Sequence, residues 1–306
     1  MWGLSFPITK ALGESAKAGS PGASSWFISA YMVCARFLVG ALVLAVTTRA
    51  RPSAAELAQG SWLGLCTGAG MLLQTDALAY TEASTSAFLT QGYVVFLPIA
   101  AVFIDRRPPS IRVAACALLV SIGLAILSRF DPWSVSMGRG ELETLGAAAC
   151  FTVQILLVDA RRYSENRSTI VTTVMFAVMA LTMLPVLAGT ARRAADFVGV
   201  IVDPAGAAYL AVIVALPTLG SFLLMNRFQR RVTASEAGIV YATEPVFASA
   251  LALFVPGLLS RLSHIAYANE AVSSRMVIGG TLVVGANVLL AFGNGPTRAA
   301  EAELAA

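Results

Sequence analysis

Charge is scarce in this sequence. Asp, Glu, Lys and Arg together make up 12% of its 306 residues, about half of the roughly 25% carried by soluble domains. So few ionised groups cannot keep the surface of a globular domain wet. Histidine is rarer still, with His264 alone, and the four cysteines Cys34, Cys66, Cys116 and Cys150 show no CxxC spacing. Neither a metal centre nor a disulfide framework is therefore expected, and the cysteines, all inside apolar runs, read as small buried hydrophobes. The sequence also lacks HExxH, GxSxG and P-loop runs, the signatures of zinc hydrolases, serine hydrolases and nucleotide-driven pumps. Dense carboxylate clusters are missing too: Glu141 and Glu143 form the one close acidic pair outside the C-terminal tail. These absences weigh against the main rival reading, a membrane-embedded enzyme acting on a lipid or small molecule. No cofactor is expected.

What the chain has in quantity is apolar sequence: 57% of residues, with a mean hydropathy of +0.76. The apolar stretches are long and separated by short segments that hold most of the arginines. Barrel strands would run about 10 residues and alternate in polarity, so the fold class expected is an all-α membrane protein. The stretches lie at roughly 1–12, 24–46, 57–80, 82–104, 111–129, 140–159, 169–189, 206–226, 234–255 and 275–293, about ten transmembrane helices where a full span takes roughly 20 residues.

The net charge of +4 sits in loops and reads as membrane orientation, with no nucleic-acid partner. Loops on the side of the N-terminus carry Arg49, Arg51, Arg106, Arg107, Arg161, Arg162, Arg227, Arg230 and Arg231. Those opposite carry fewer cations, among them Arg129, Arg139, Arg192, Arg193 and Arg261. The excess predicts that both termini are cytoplasmic, in the plasma membrane of a bacterial cell.

The two halves repeat each other. Ala83-Ser84 and Tyr93-Val94-Val95-Phe96 in the fourth stretch align, at one offset, with Ala234-Ser235 and Glu244-Pro245-Val246-Phe247 in the ninth. An odd number of spans per half means the second copy enters the membrane upside down, which is a transporter architecture with substrate held where the copies meet. The expected domains are a first five-helix repeat over 1–130, a second over 139–295, and a short polar tail over 296–306. The sixth stretch corresponds to the first, with Phe151 opposite Trp2, so the first stretch is expected to lack the start of its helix.

WGLSFPITK, ARFLVGALVLAV, ALAYTEASTSAFLTQGYVVFLP, EPVFASALALFV and IGGTLVVGANVLL resemble, in order and spacing, helices of the EamA branch of the drug/metabolite transporter superfamily. The loop VPGLLSRLSHIAYANEAVSS departs from the short acidic loop of that family, and Val94 stands where proline is common. The resemblance implies a ten-helix secondary transporter that moves small metabolites, often amino acids or related compounds and often outward, by alternating access. It also implies that Trp2 and Lys10, in the first-helix motif, line the pathway.

Ionisable groups deep in a span are functional candidates. Arg36 lies near the middle of the second stretch and Glu244 near the middle of the ninth. They are expected to face a central cavity, pairing with each other or with the ends of a zwitterionic substrate, and Glu244 is the candidate for proton coupling. Gln74, Thr90, Gln91, Gln154 and Tyr241 are candidates for neutral hydrogen bonds to the same substrate. Gly60, Gly64 and Gly68 repeat every fourth residue and read as a packing face. Asp76 reads as interfacial. Pro98, Pro185, Pro217 and Pro245 are expected to kink their spans. The partners implied are a small solute and the lipid bilayer; the oligomeric state is not legible.

Overall fold

A computed structural model describes residues 1–20, 22–81, 83–105, 109–127, 138–193, 197, 204–263, 268–269 and 271–292. Within them the fold is helical throughout, without strands. Helix α1 covers Trp2–Gly19, α2 Ser25–Thr48 and α3 Ala54–Ala77. The next three are α4 over Ala83–Thr90, α5 over Tyr93–Asp105 and α6 over Ile111–Leu127. In the second half α7 covers Arg139–Asp159, α8 Ser168–Thr190 and α9 Pro204–Ile213. A π-helical segment, Val214–Gly220, leads into α10 at Ser221–Phe228. Then come α11 over Ala234–Tyr241, α12 over Glu244–Ala252, α13 over Val255–Ser263 and α14 over Ser274–Phe292.

Six of these stretches are long and apolar enough to cross a membrane, and the bent pair formed by Ala234–Ala252 and Val255–Leu262, at 57°, makes a seventh. The chain is a multi-span helical membrane protein. Helix α3 is 24 residues long, or about 36 Å at 1.5 Å per residue. Its hydropathy is lowered by Glu56, Gln59, Gln74 and Asp76, which other helices take up. Helix α1 runs past the expected end at Leu12 to Gly19. Its extension, GESAKAG, includes two alanines, the best helix former, and Ala16 is buried there, as are Ala11 and Leu12. The side chain of Lys10, expected to line the pathway, lies outside the described residues, as do Glu82, His264 and the tail.

Local sequence explains the boundaries. Ser53 and Glu56 cap α3 reciprocally, and Thr233 and Glu236 do the same for α11, satisfying backbone donors that a helix start leaves open. Helix α2 stops where Arg49 turns into the left-handed region at φ 44°, which returns its amide to the Ala45 carbonyl.

Packing follows the small residues. Helix α3 lies along α7 and α8, α2 along α8, and α6 along α14. A Cβ on Gly60 would stand 2.6 Å from Val174 Cβ, one on Gly64 2.6 Å from Val178 Cβ, and one on Gly68 3.1 Å from Thr182 Oγ1. Two four-residue ladders thus mesh, and the glycine face is a helix seam. Next to it Phe37, Phe176, Met175 and Met179 are fully buried. A second core gathers Leu97, Val120, Ile239 and Val283.

Candidate functional site

Two spans, Ser86–Ile104 and Ala234–Ala252, are interrupted in the same way by a two-residue turn, without the sharp bend that follows at 253–254. Eight-residue α4 ends at Thr90, residues 91–92 form a turn, and α5 begins at Tyr93. Eight-residue α11 ends at Tyr241, residues 242–243 form a turn, and α12 begins at Glu244. Gln91-Gly92 suits a break because glycine holds a helix poorly. In the second case Pro245 sits in the first turn of α12, where its missing N–H costs nothing. It therefore starts a helix instead of kinking one. At both breaks α5 and α11 pack together, so Gln91 and Glu244 meet: the Gln91 amide is a hydrogen-bonding neighbour of the Glu244 carboxylate and of the Tyr93 phenol. Gln91 is 3% exposed, and its Oε1 has no partner among the described residues.

The other candidates divide between two cavities. A small one, of about 40 Å³, is lined by Arg36, Gln74, Thr75, Ser5 and Thr9 among others. Gln74 Nε2 donates to Thr90 Oγ1 at 3.0 Å, which ties this cavity to the end of α4. A large one, of about 550 Å³, is lined by Trp2, Tyr241 and Glu244 with Met225, Phe228 and Phe247. Gln154 donates to Met225 Sδ at 3.3 Å and supports the wall from behind.

The π segment holds the two cavities apart, and its chemistry starts at Pro217. Proline has no N–H to donate to the Ile213 carbonyl one turn back. The Thr218 hydroxyl donates to that carbonyl instead, at 2.8 Å, and accepts from Arg36 Nε at 2.5 Å. On the other side the Trp2 indole N–H donates to the Pro217 carbonyl at 3.1 Å. Arg36, 6% exposed, is thus fastened to Thr218; it feels the charge of Glu244, but among the described residues the two form no ion pair. Trp2 stacks edge-on against Phe222 and Tyr241, with centroids 5.6 and 5.4 Å apart. Tyr241 donates to Gln229 Oε1 at 2.9 Å, and Gln229 Nε2 donates to the Ile155 carbonyl at 2.8 Å.

Both ends of α3 carry ion pairs that sequence reasoning does not reach. At its start Glu56 binds Arg167 at 2.7 Å, and those hydrogen bonds hold the Arg167 guanidinium, in the loop before α8, above its ordinary pKa. At its end Asp76, which is 0% exposed, binds Arg139 at 2.6 Å. Asp76 is thus buried and paired where an interfacial residue was expected. Arg139 also binds Glu143 at 2.7 Å and the Tyr80 hydroxyl at 2.8 Å, and lies 4.1 Å from the Tyr80 ring centroid. Thr81 donates to Glu141, whose other oxygen caps Gly138 N–H at 3.0 Å, so the acidic pair is engaged by protein as well as solvent. The partners come from α3, the turn after it, α7 and the loop before α8, and no motif on one helix announces them.

Comparison with known proteins agrees at the level of fold. No family model matches the chain. A protein of Archaeoglobus fulgidus described as an uncharacterized transporter is 24% identical over 248 residues, covering 81% of this chain and 72% of that protein. The chain is its distant homologue. A solved crystal structure, described only as that of a protein, superposes with a TM-score of 0.63 at 15% identity over 94% of this chain and 95% of the other.

Proposed function

We propose that this chain is a secondary transporter of the EamA branch of the drug/metabolite transporter superfamily, built as ten spans in two inverted five-helix repeats over 1–130 and 139–295. It moves a small metabolite, an amino acid or related compound, by alternating access, in the outward direction. It resides in a bacterial inner membrane with both termini in the cytoplasm. The observation that carries this reading is the pair of matched breaks, residues 91–92 and 242–243, which fall at the sequence offset that relates the two halves. Discontinuous helices meeting near the midplane are how such repeats expose backbone and polar side chains to a solute. The distant transporter homologue supports the same reading.

Glu244 is the coupling residue, exchanging a proton as the cavity changes access, and Arg36 sets the neighbouring field. Gln91 and Tyr241 complete the binding surface from the two broken helices. Gln74 lines the adjoining small cavity with Thr90 accepting its hydrogen bond, Gln154 buttresses the wall, and Trp2 and Lys10 line the path along α1. The test is untargeted profiling of cells and medium with the chain overexpressed and with its gene deleted. An exporter accumulates one compound outside on expression and inside on deletion. Unchanged distributions with a new chemical species would replace transport by enzymatic activity.

A further inference from the structure

The end of α3 and the start of α7 meet in a cluster apart from both cavities: neither Asp76 nor Glu143 is among their lining residues. Its geometry turns on one edge of Arg139. The Nε–H and one Nη–H of a guanidinium run parallel, a fork that fits the two oxygens of a single carboxylate. Here the fork holds oxygens of two different carboxyl groups. Nε donates to Glu143 Oε1 at 2.7 Å, and Nη2 donates to Asp76 Oδ2 at 2.6 Å. The two carboxyl groups therefore stand side by side, as hydrogen-bonding neighbours. Each also has a buried oxygen with no partner among the described residues, Asp76 Oδ1 and Glu143 Oε2.

Water is kept from this pair. Asp76 is 0% exposed, and the first turn of α7 presses on the residues that follow it. A Cβ on Gly140 would stand 2.9 Å from Thr81 Cβ and 3.1 Å from the Ala77 carbonyl oxygen. The other groups at this end are already engaged. Arg139 Nη1 donates to the Tyr80 hydroxyl at 2.8 Å, which lies 2.9 Å from Ser25 Oγ. Glu141 accepts from Thr81 and from the Gly138 N–H. Helix α4, which packs on α7, carries no charged residue. Among the described residues Arg139 is the one cation bonded to Asp76 or Glu143. Two carboxylates roughly 3 Å apart in a buried site do not both ionise, and one guanidinium offsets one charge.

We propose that Asp76 and Glu143 form a proton-binding site, holding one proton between Asp76 Oδ1 and Glu143 Oε2, and that this proton fastens the start of α7 to the end of α3. With it in place the pair carries one negative charge, matched by Arg139, and the two idle oxygens become donor and acceptor. Its release leaves two negative charges on one guanidinium and loosens the first turn of α7. The site stands whether or not the chain transports a solute.

Infrared difference spectroscopy of the purified full chain in detergent at neutral pH reads the proton directly, through the C=O stretch of a protonated carboxyl group and its shift in D2O. Asp76→Asn and Glu143→Gln are each expected to remove the same protonated-carboxyl band, because each leaves the surviving carboxylate alone with Arg139. A band that survives in either variant overturns the shared proton. The melting temperature supplies a second reading. A proton bound in the folded chain and released on unfolding stabilises the fold below the ordinary carboxylate range, and that contribution is lost as pH rises past its release. Glu143→Gln puts an amide N–H where the proton sits and should abolish the dependence. From about pH 5 to about pH 9, above the ordinary carboxylate range, the melting temperature of the unaltered chain should fall relative to that of Glu143→Gln. A constant gap between the two overturns the proposal.

Discussion

The two broken helices have one geometry and two chemistries. Each has an eight-residue first arm, a two-residue turn and a second arm. At the first turn stands Gln91, a neutral amide; just after the second stands Glu244, a carboxylate. The two turns match in backbone and differ in the ionisable group. A frame that repeats can open toward either side of a membrane by exchanging the roles of its halves. A single charge confined to one half gives the solute one polarity to answer, whichever side is open. Packing residues and the charged residue are thus distinct sets, so the two kinds of substitution should have separable effects.

The largest effect expected is from Glu244→Gln, which makes the second break chemically like the first. Loss of a buried charge partner costs about 2–5 kcal/mol, so transport measured in proteoliposomes should fall by about 30-fold or more, with the protein still folded. Transport within a few-fold of the original would mean that the asymmetry has no functional role.

Next comes the frame that both breaks share. Arg139→Ala leaves the fully buried Asp76 without a counter-charge, while Asp76→Asn leaves only a half-exposed arginine. A fully buried pair broken in this way costs about 3–5 kcal/mol. With the Arg139 side chain 43% exposed, a cost of about 2 kcal/mol is expected for Arg139→Ala and less for Asp76→Asn. Thermal unfolding in detergent should rank the two variants in that order; the reverse order would show that Asp76 is solvated.

The seam between α3 and α8 sharpens the contrast further. Gly64→Val puts methyl groups where Val178 and the Met175 carbonyl already stand, at 2.6 and 2.7 Å from the Cβ position. Overpacking of this kind costs about 1–3 kcal/mol. The amount of folded protein recovered from membranes should drop, while the solute affinity of what remains is unchanged. The smallest effect is that of Gln91→Ala, which removes one hydrogen-bonding neighbour of Glu244. It should weaken binding by about fivefold, the equivalent of about 1 kcal/mol, and a loss as large as that of Glu244→Gln would make the two breaks equal partners.

Much of this was legible in the sequence, because membranes leave few options: long apolar stretches must become helices, and the helix limits α2, α7, α8 and α14 lie within a few residues of those expected. Neither interruption was expected: 82–104 and 234–255 read as continuous spans, and Pro245, expected to kink its helix, stands in the first turn of one. Helix α1 extends further than apolar content alone suggests, since an alanine-rich polar segment can continue a helix that has neighbours to lean on. Less legible were contacts made across three helices. Asp76 and Arg139 are 63 positions apart, and neither carries a local mark of its partner. The Arg36–Thr218 bond is of the same kind: Pro217 signals a disturbed helix, but not which side chain comes to repair it. The candidates also divide between two cavities, because Trp2 and Arg36 grip the π segment from opposite sides, a detail that depends on rotamers and not on spacing.

Thr243 lines the large cavity at the second break, which makes it the most direct reporter of alternating access. In a background with the four native cysteines replaced by serine, Thr243→Cys is exposed to a membrane-impermeant maleimide from one side of sealed vesicles, then from the other. Labelling from each side, with transport blocked in both cases, is the expected result. Labelling from one side only, under every solute gradient applied, would contradict a central site that opens alternately.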